Sequence, residues 1–499
     1  MNIKVIFGMK LKRFREESGL APLEFAERAG LSPSYVNEIE KGKKYPKAEK
    51  IARMAEVLGK SYDDLVSIKL GQDLNSLEGF LNSPLLADFP FEMFGISLPD
   101  IVGVMTRSPN EASALIKALV EVANQYDLRV EHFLRAALRS YQESKDNYFE
   151  EIEEAVEQFA REQNLSLDEA PTLPWLENAI KRIYGYQVDE QTLSATENLT
   201  QYRSVWLGPD HPKLLINSRL TPAQKKFIFA REIGYQAMGI TDRAITSAPD
   251  QVDSFEQVLN DFRASYFAGA LLISSRRIRA DLKEFFKRPT WDGEAFLQLI
   301  EKYDVTPEIF FYRLSEIIPQ FFGIKLHFLR FNSDGEDYSL VKQLNQSRVL
   351  IPSGVSLNEH YCRRWLSIQL LKELDQKLKN GDGASVVAGA QVSQFVDSDS
   401  MFLCIGLARP LSLSSTATSS VIIGFRYDKE LEKTVKFARD KKIRFVRINE
   451  TCERCRLTIE ECPERAAPPV IYQHEQARVA RRQELFQLLN SNRPMRKTG

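Results

Sequence analysis

Apolar residues recur every three or four positions through the first seventy residues, a spacing typical of short amphipathic helices. They predict five helices, separated by glycine and serine positions that end or begin helices. Gly30 and Ser32 bound a tight turn, and Pro33 suits the first turn of the third helix. The predicted helices cover 9–17, 22–29, 33–41, 48–58 and 62–66. This order predicts a helix-turn-helix domain over residues 1–70.

The pattern changes three more times along the chain. Helical spacing continues from Pro109 to Gln163, which predicts a helical connector over 71–165, either a dimerisation element or helices packed on the same chain. Residues 166–320 combine short strands at 186–188, 204–207 and 213–217 with a long helix at 221–238. Residues 321–475 are predicted to hold strands at 324–329, 348–351, 386–395, 401–408, 420–427 and 443–448, with helices at 358–378 and 430–439.

These alternations predict a multidomain α+β protein. The parts are an all-α helix-turn-helix head, a helical connector, a domain resembling a degenerate zincin, and a C-terminal antiparallel sheet flanked by helices. The last layout resembles GAF- or PAS-like small-molecule sensors. A basic tail follows over 476–499.

The long helix carries a pattern that points to lost catalysis. Laid over the zinc-peptidase pattern H-E-x-x-H, residues 231–235 read R-E-I-G-Y, so Glu232 keeps the place of the general base. Arg231 and Tyr235 stand where two histidines would hold Zn²⁺, and a permanently charged guanidinium cannot ligate a cation. The segment with its flanks resembles the ImmA/IrrE family of metallopeptidase-like domains. That resemblance implies a third ligand on the helix ending F-A-G-A-L-L, at the position of Arg263.

The three substituted positions predict a domain without peptidase activity. We expect Glu232 to pair with Arg231 or Arg263 instead of activating a metal-bound water. The alternative function is a metal-dependent peptidase that cleaves a partner repressor, as the resemblance to the intact family implies.

The head has the charge expected of a nucleic-acid partner. Residues 1–70 hold ten Lys and four Arg against eight Glu and two Asp, a net charge of +4, whereas the whole chain has a net charge of −1. The segments at 11–20, 25–32 and 35–46 resemble the XRE/Cro-repressor family, apart from Pro22, where that family usually has Gln. DNA contacts are predicted at the start and end of the third helix, at Ser32, Ser34, Tyr35, Asn37, Glu38, Lys41, Lys43 and Lys44. Tyr35 belongs either to the core or to the DNA-contacting surface.

Three of the five cysteines crowd near the C-terminus, at Cys452, Cys455 and Cys462. Thiols at this spacing suit an iron–sulfur cluster or zinc, and a metal-free thiol group is the third alternative. Cys362 is the predicted fourth ligand, with His360 or Cys404 next in line. This ending, with H-Y-C-R-R-W at 360–365, resembles the short-chain-fatty-acyl regulators of the RamB/PrpR/ScfR group. The resemblance implies regulation of acyl metabolism through a CoA or acyl-CoA effector.

Composition argues against a membrane protein and against a secreted one. No apolar run reaches the length of a membrane span, and the N-terminus lacks the pattern of a signal peptide. Five cysteines in 499 residues favour a reducing cytoplasm over a disulfide framework. The sequence therefore predicts a cytoplasmic transcription regulator that binds a double-stranded DNA operator as a homodimer or higher oligomer.

Overall fold

A computed structural model describes residues 3–67, 93, 130–208, 211–246, 254–335, 337–349, 351, 359–381, 386–414 and 416–491. The chain divides into two compact units. The first contains Met1–Tyr141 and Gln251–Val258, and the second contains Gln142–Asp250 and Leu259–Gly499. Within the described residues, no helix is long and apolar enough to cross a membrane.

The helix-turn-helix head in the first unit is formed by five helices. They are α1 (Ile3–Glu17), α2 (Pro22–Arg28), α3 (Pro33–Glu40), α4 (Ala48–Leu58) and α5 (Tyr62–Val66). The predicted elements are confirmed, except that α1 begins at Ile3 rather than at Met9. Phe7, near the start of this longer helix, is buried in the same core as Leu11 and Phe25. The residues that extend α1 at its start therefore add a buried apolar side chain to the core of the head.

The connector is described in part. Helix α6 spans Val130–Ser144 and helix α7 spans Glu150–Glu162, as the helical spacing predicts. The helix expected around residues 115–122 lies outside the described residues. Helix α7 packs within the second unit, where the ring of Phe159 lies 6.0 Å from that of Phe267 and Glu153 pairs with Arg313. Helix α7 thus packs with helices of the second unit that follow it in the chain.

The peptidase-like part of the second unit combines a small sheet with long helices. Strands β1 (Gln187–Asp189), β2 (Ser204–Leu207) and β3 (Lys213–Ile216) form a sheet in the order β1-β3-β2. Strand β1 is parallel and β2 antiparallel to β3. The helices are α8 (Leu173–Tyr184), α9 (Thr192–Ala195), α10 (Pro222–Ala237), α11 (Phe255–Leu272), α12 (Ser275–Phe286), α13 (Gly293–Glu301) and α14 (Pro307–Phe322).

A six-stranded sheet forms the core of the C-terminal part. Its strands are β4 (Leu326–Ser333), β5 (Tyr338–Asn345), β6 (Val387–Phe395), β7 (Met401–Pro410), β8 (Thr418–Arg426) and β9 (Arg444–Ile448), in the order β5-β4-β8-β7-β6-β9. All pairs are antiparallel except β6 with β9. Helix α15 (Leu366–Asn380), helix α16 (Lys429–Thr434) and the terminal helix α17 (Val470–Ser491) complete the part. The antiparallel sheet is confirmed, and its assignment to a GAF or PAS fold stays a prediction.

Two expectations for this sheet were wrong. The strand expected at 348–351 lies instead at Tyr338–Asn345, where it pairs with β4 along its length. The helix expected from residue 358 begins at Leu366, because Tyr361 forms an antiparallel bridge with Thr451. Backbone pairing with a segment ninety residues away is a tertiary contact that local spacing cannot reveal.

Both faces of the sheet are covered. Alternate side chains of a strand point to opposite faces. Leu329 and Phe331 of β4 therefore join the core under α15, while the ring of Phe328 lies 5.4 Å from that of Tyr312 in α14. The peptidase-like helices and the sheet consequently pack as layers of one unit.

Candidate nucleic-acid interface, peptidase-like centre and cysteine cluster

The third helix of the head is fixed by its cap and by its inner face. The Ser32 hydroxyl accepts a hydrogen bond from the backbone N–H of Tyr35 at 3.2 Å, and Pro33 occupies the first turn. Val36 and Ile39 are fully buried. Ser32 therefore has a structural role as the cap of α3 in addition to its predicted place beside DNA.

Four of the eight predicted DNA contacts are exposed on the outer face of α3 or just after its end. Ser34 and Asn37 are exposed near its start, and Lys41 and Lys43 are exposed after its end. An exposed amide and hydroxyl on one helix face can reach base edges, and lysines beyond the helix can reach phosphates. The arrangement is that of a helix available to a DNA groove.

Three of the predicted contacts, Tyr35, Glu38 and Lys44, have partners of their own in the head. Glu38 forms an ion pair with Lys44 at 2.8 Å, and this hydrogen bond raises the pKa of Lys44. Tyr35 packs against the core, with the Lys50 ammonium 4.2 Å from its ring centre. Tyr35 is thus partly buried against the core, its contact with DNA stays a prediction, and Lys50 is a basic neighbour of α3 that the sequence analysis missed.

The peptidase-like centre lies on α10, whose N-terminus has a capping box between Thr221 and Gln224. Arg231, Glu232 and Tyr235 are all buried, with exposed fractions of 4%, 1% and 1%. Buried charges are stable only when paired and hydrogen-bonded. The partners of these three side chains therefore decide what the centre can do.

Glu232 is paired with Arg243, which the sequence analysis did not single out. Its carboxylate accepts hydrogen bonds of 2.6 and 2.7 Å from the two terminal nitrogens of the guanidinium. The same guanidinium lies 3.7 Å from the ring centre of Tyr235 and 4.7 Å from that of Trp206. The expected pairing of Glu232 with Arg231 or Arg263 is wrong, because Arg243 supplies the fork geometry that a carboxylate accepts.

Tyr186 closes the other side of the Glu232 carboxylate. Its hydroxyl donates a hydrogen bond to Glu232 at 3.2 Å and accepts one from Gln236 at 2.9 Å. Burial, followed by the negative charge of Glu232, raises the pKa of Tyr186 to about 12. The phenol therefore stays protonated at neutral pH and acts as a fixed donor.

The two former ligand positions converge on Asp261 of α11. Arg231 reaches the Asp261 carboxylate at 3.4 Å, and the Tyr235 hydroxyl donates to it at 3.1 Å. Arg263 contacts Asn260 instead, at 3.4 Å. Asp261 is thus the residue of α11 that contacts both positions, and the assignment of Arg263 to the third ligand position stays a prediction.

The described part of the centre contains two ion pairs: Glu232 with Arg243, which is buried, and Asp261 with Arg231, in which the carboxylate is 30% exposed. Each carboxylate has an arginine, and the space between them is occupied by guanidinium and phenol groups. Among the described residues, no group of three or more His, Cys, Asp or Glu side chains is arranged to hold a metal ion. Activation of water by Glu232 would first require removal of Arg243.

The four cysteines predicted as ligands are brought into one region. Cys362 is adjacent to Cys452 because residues 360–362 and 450–452 run antiparallel: the N–H of Cys362 donates to Glu450 O at 3.1 Å, and that of Cys452 to His360 O at 2.9 Å. Cys455 and Cys462 pack together with Val396 and Leu457. Burial, and after it the nearby Cys452 and Cys455, raise the pKa of Cys362 to about 12.

The Arg465 side chain holds the loop around these thiols together. The Arg465 guanidinium donates to the backbone oxygens of Leu457, Ala467 and Cys452, the last at 2.7 Å. The Cys452 sulfur accepts a hydrogen bond from the N–H of Ala466 at 3.3 Å. Thiolates are ligands that soft metals prefer, but these four cysteines are among the described residues, in which no group of three or more His, Cys, Asp or Glu side chains is arranged to hold a metal ion.

The two reserve ligands have contacts of their own. His360 shares a hydrogen bond with Glu453 at 2.7 Å between its Nδ1 and the carboxylate. Cys404 lies in β7, where its sulfur is 3.9 Å from the Ser393 hydroxyl. The choice of Cys362 as the companion of the C-terminal three stays a prediction.

Comparison with known proteins agrees with this division of the chain. Residues 11–65 match the helix-turn-helix family, and residues 188–315 match the IrrE N-terminal-like domain. The HTH-type transcriptional regulator RamB of Mycobacterium tuberculosis (strain ATCC 25618 / H37Rv) is 22% identical over 356 residues, which cover 66% of this chain and 69% of that protein. The uncharacterized HTH-type transcriptional regulator y4dJ of Sinorhizobium fredii is 31% identical over 67 residues, 13% of this chain and 87% of that protein.

Two solved structures are similar to parts of the chain. A Mycobacterium tuberculosis transcriptional regulator matches with a TM-score of 0.45 at 18% identity, over 66% of this chain and 92% of the other. The clp gene regulator ClgR from Corynebacterium glutamicum matches with a TM-score of 0.15 at 20% identity, over 26% of this chain and 96% of the other.

The head and these family matches define a DNA-binding transcriptional regulator. The chain belongs to the HTH-type transcriptional regulators, with an XRE-type head and an IrrE-like domain in its second unit.

Proposed function

We propose that this protein is a sequence-specific regulator that binds its operator as a homodimer in the cytoplasm and responds to a short-chain acyl-CoA or a related metabolite. The observation that carries the DNA-binding part is the outer face of α3, where Ser34 and Asn37 are exposed over the buried Val36 and Ile39. Ser34 and Asn37 would read base edges, and Lys41 and Lys43 would contact phosphates. Dimerisation follows from the use of paired half-sites by helix-turn-helix heads.

The effector part rests on the resemblance of the C-terminal segments to short-chain-fatty-acyl regulators. A ligand can change operator affinity only if it binds one arrangement of the protein more tightly than another. The second unit allows a ligand to favour one arrangement, because the sheet and the IrrE-like helices are packed layers that one ligand can contact together.

We also propose that Cys362, Cys452, Cys455 and Cys462 are the ligands of an iron–sulfur cluster, with zinc as the alternative. Such a centre would supply sensitivity to redox state or iron supply. Anaerobic purification should then yield iron and sulfide in stoichiometric amounts, lost in Cys455→Ser and retained in Cys404→Ser. Stoichiometric zinc would select the alternative, and a metal-free anaerobic preparation would reject both.

The second candidate function is a metal-dependent peptidase that cleaves a partner repressor. The match to the IrrE-like domain is the reason for considering it. The bidentate ion pair of Glu232 with Arg243 is evidence against peptidase activity, since Arg243 already neutralises the carboxylate that is needed as a general base. We therefore propose a non-enzymatic role for this domain. Stoichiometric zinc together with partner cleavage that Glu232→Gln abolishes would reverse this conclusion.

The main experiment maps the promoters bound across the genome and measures operator binding on the resulting sites. Wild-type protein should shift these fragments in a gel, and Asn37→Ala should weaken binding by about 1–3 kcal/mol with relaxed sequence preference. Equal binding of wild-type protein to bound promoters and to scrambled DNA would contradict sequence-specific recognition. The genes beside the bound promoters would identify the metabolite.

A further inference from the structure

A short segment of the second unit, residues 436–447, carries a dense positive charge. It holds three Lys and three Arg against the single acid Asp440, a net charge of +5 in a chain whose net charge is −1. The head reaches a net charge of +4 over seventy residues, so positive charge is denser in this segment than in the head. The six basic side chains are all exposed, at Lys436, Arg439, Lys441, Lys442, Arg444 and Arg447.

The fold holds this segment in place. The ring of Phe437 lies 5.5 Å from that of Phe285 and 5.6 Å from that of Trp291. The Asp440 carboxylate accepts hydrogen bonds from the backbone N–H of Trp291 at 3.0 Å and from that of Lys442 at 2.9 Å. The acid of the segment therefore fixes the turn before β9, and the positive charges extend from an anchored surface.

Part of the segment forms an edge of the six-stranded sheet. Among the described strands, β9 pairs only with β6. Charged side chains on an edge strand hinder its pairing with a strand of another molecule. That role accounts for Arg444 and Arg447, which belong to β9. It does not account for Lys436, Lys441 and Lys442, which precede the strand.

Most of these charges have no counter-charge. Arg439 pairs with Glu432 at 3.1 Å. Glu464, on which Arg444 acts electrostatically, is itself paired with Arg364 at 2.5 Å. The remaining five basic side chains form no ion pair with another described residue. We call these five the basic edge, which consists of Lys436, Lys441, Lys442, Arg444 and Arg447.

We propose that the basic edge is a second DNA-binding surface, which contacts the phosphates of double-stranded DNA without reading its sequence. Lys and Arg side chains neutralise phosphates and release their counterions. The head is the reason to favour DNA over other polyanions. Because the head and the basic edge belong to one chain, DNA bound by the head has a raised effective concentration at the basic edge. The inference thus rests on DNA binding by the head.

The position of this surface in the chain has a consequence for regulation. Phosphate contacts contribute to affinity but carry no sequence information. The basic edge belongs to the second unit, whereas α3 belongs to the first. A change within the second unit can therefore alter the affinity for DNA while the sequence preference set by α3 stays the same.

Two double variants test the surface in the full chain: Lys441→Gln with Lys442→Gln, and Arg444→Gln with Arg447→Gln. The affinity for a bound promoter fragment and for scrambled DNA is measured over a range of salt concentrations. Each double variant should weaken both interactions by roughly tenfold or more near about 0.1 M salt. The slope of log affinity against log salt should decrease by about 2, because two phosphate contacts are lost.

Two controls separate charge from structure. Lys181→Gln with Arg182→Gln removes two adjacent exposed charges from α8, outside the segment, and should keep the wild-type slope. Arg444→Lys with Arg447→Lys retains the charge of β9 and should also keep that slope. The variant of Lys441 and Lys442 changes no residue of the sheet, so its result stands even if substitutions in β9 impair folding.

Two results would overturn the basic edge as a DNA-binding surface. One is a slope in both double Gln variants equal to that of the control on α8, which would mean that the charges only face solvent. The other is unchanged DNA binding together with lost binding to vesicles of phosphatidylserine and phosphatidylcholine, which would assign the surface to a membrane.

The same measurements separate this inference from the proposed function. Equal affinity of the wild type for promoter and scrambled DNA, with reduced slopes in the double Gln variants, would refute sequence-specific recognition and retain the basic edge. A clear preference for the promoter, with wild-type slopes in those variants, would refute the basic edge alone.

Discussion

Glu232 and Arg243 form a buried ion pair in which two hydrogen bonds, of 2.6 and 2.7 Å, join the carboxylate to one guanidinium. Both side chains are almost inaccessible to solvent, at 1% and 3% exposure. The carboxylate that would serve as a general base in a metallopeptidase is thereby held as a structural acceptor. Arg243 also stacks on Tyr235, which stands at a former ligand position.

The first prediction concerns the stability of this pair. Either Glu232→Gln or Arg243→Met should lower the free energy of unfolding of the second unit by roughly 3–5 kcal/mol, because one buried charge is left unpaired. The double variant should recover a large part of that loss. Urea unfolding followed by tryptophan fluorescence is suitable, since all four tryptophans lie in the second unit.

The exposed pair Arg288 and Asp292 is the control, with a separation of 2.7 Å on one helix-flanking turn. Removing the ion pair through Arg288→Gln, which keeps the Asp292 cap of α13, should change stability by at most about 0.5 kcal/mol. Single variants of Glu232 and Arg243 as mild as this control would show that the buried pair is not the main support of the centre.

The second prediction concerns the packing of α1 on α3. A methyl group at Gly8 would lie 2.2 Å from the backbone oxygen of Ile39. Backbone cannot yield as a flexible side chain does, so Gly8→Ala should destabilise the head by about 1–3 kcal/mol and weaken operator binding. Circular dichroism and gel shifts measure the two effects.

Gly269 provides the comparison, because it also lies inside a helix but nothing is within 4 Å of an added methyl group. Gly269→Ala should stabilise by about 0.4–1 kcal/mol through a less flexible unfolded chain. A destabilising Gly269→Ala, or a neutral Gly8→Ala, would be incompatible with the close approach described.

The third prediction is a pH dependence from His327. Burial lowers its pKa from 6.5 to about 3, and its Nδ1 lies 2.9 Å from the Ser347 hydroxyl. Below pH 6.5 the unfolded chain takes up a proton here that the folded chain does not bind until about pH 3. Stability should therefore fall on acidification by about 1.4 kcal/mol per pH unit within that window.

Comparison of slopes isolates this effect from other titrating groups. His327→Gln should lose the His327 part of the pH slope, whatever its stability at neutral pH. His474→Gln, at an exposed position of α17, should keep the wild-type slope. Parallel pH profiles of wild type and His327→Gln would exclude a buried neutral imidazole.

The fourth prediction concerns phosphate contacts. Lys43 is exposed beyond the end of α3, and Lys43→Ala should weaken operator and non-specific DNA binding alike. The slope of log affinity against log salt should decrease by about 1. Lys60→Ala, in the turn after α4, should leave the slope unchanged, and an equal decrease in both variants would remove the special role of Lys43.

The sequence predicted the head well because local rules act there. Gly30, Ser32 and Pro33 determine a turn and a cap through backbone preferences, and Val36 and Ile39 mark the buried face by spacing alone. The same rules located β2, β3 and α10 in the second unit. They failed at β5, where Tyr338–Asn345 forms an edge strand with one buried residue and no strong apolar pattern.

The sequence by itself determined the classes of element, the helix-turn-helix head and the loss of both histidines at positions 231 and 235. Only the tertiary structure decided which groups compensate one another. Arg243 lies eleven residues beyond Glu232, Asp261 lies on the next helix, and Cys362 lies ninety residues before Cys452, so no local pattern links them. Distance and geometry in the folded chain determine which group pairs with a buried charge. In this centre they join Glu232 to Arg243 and Asp261 to Arg231.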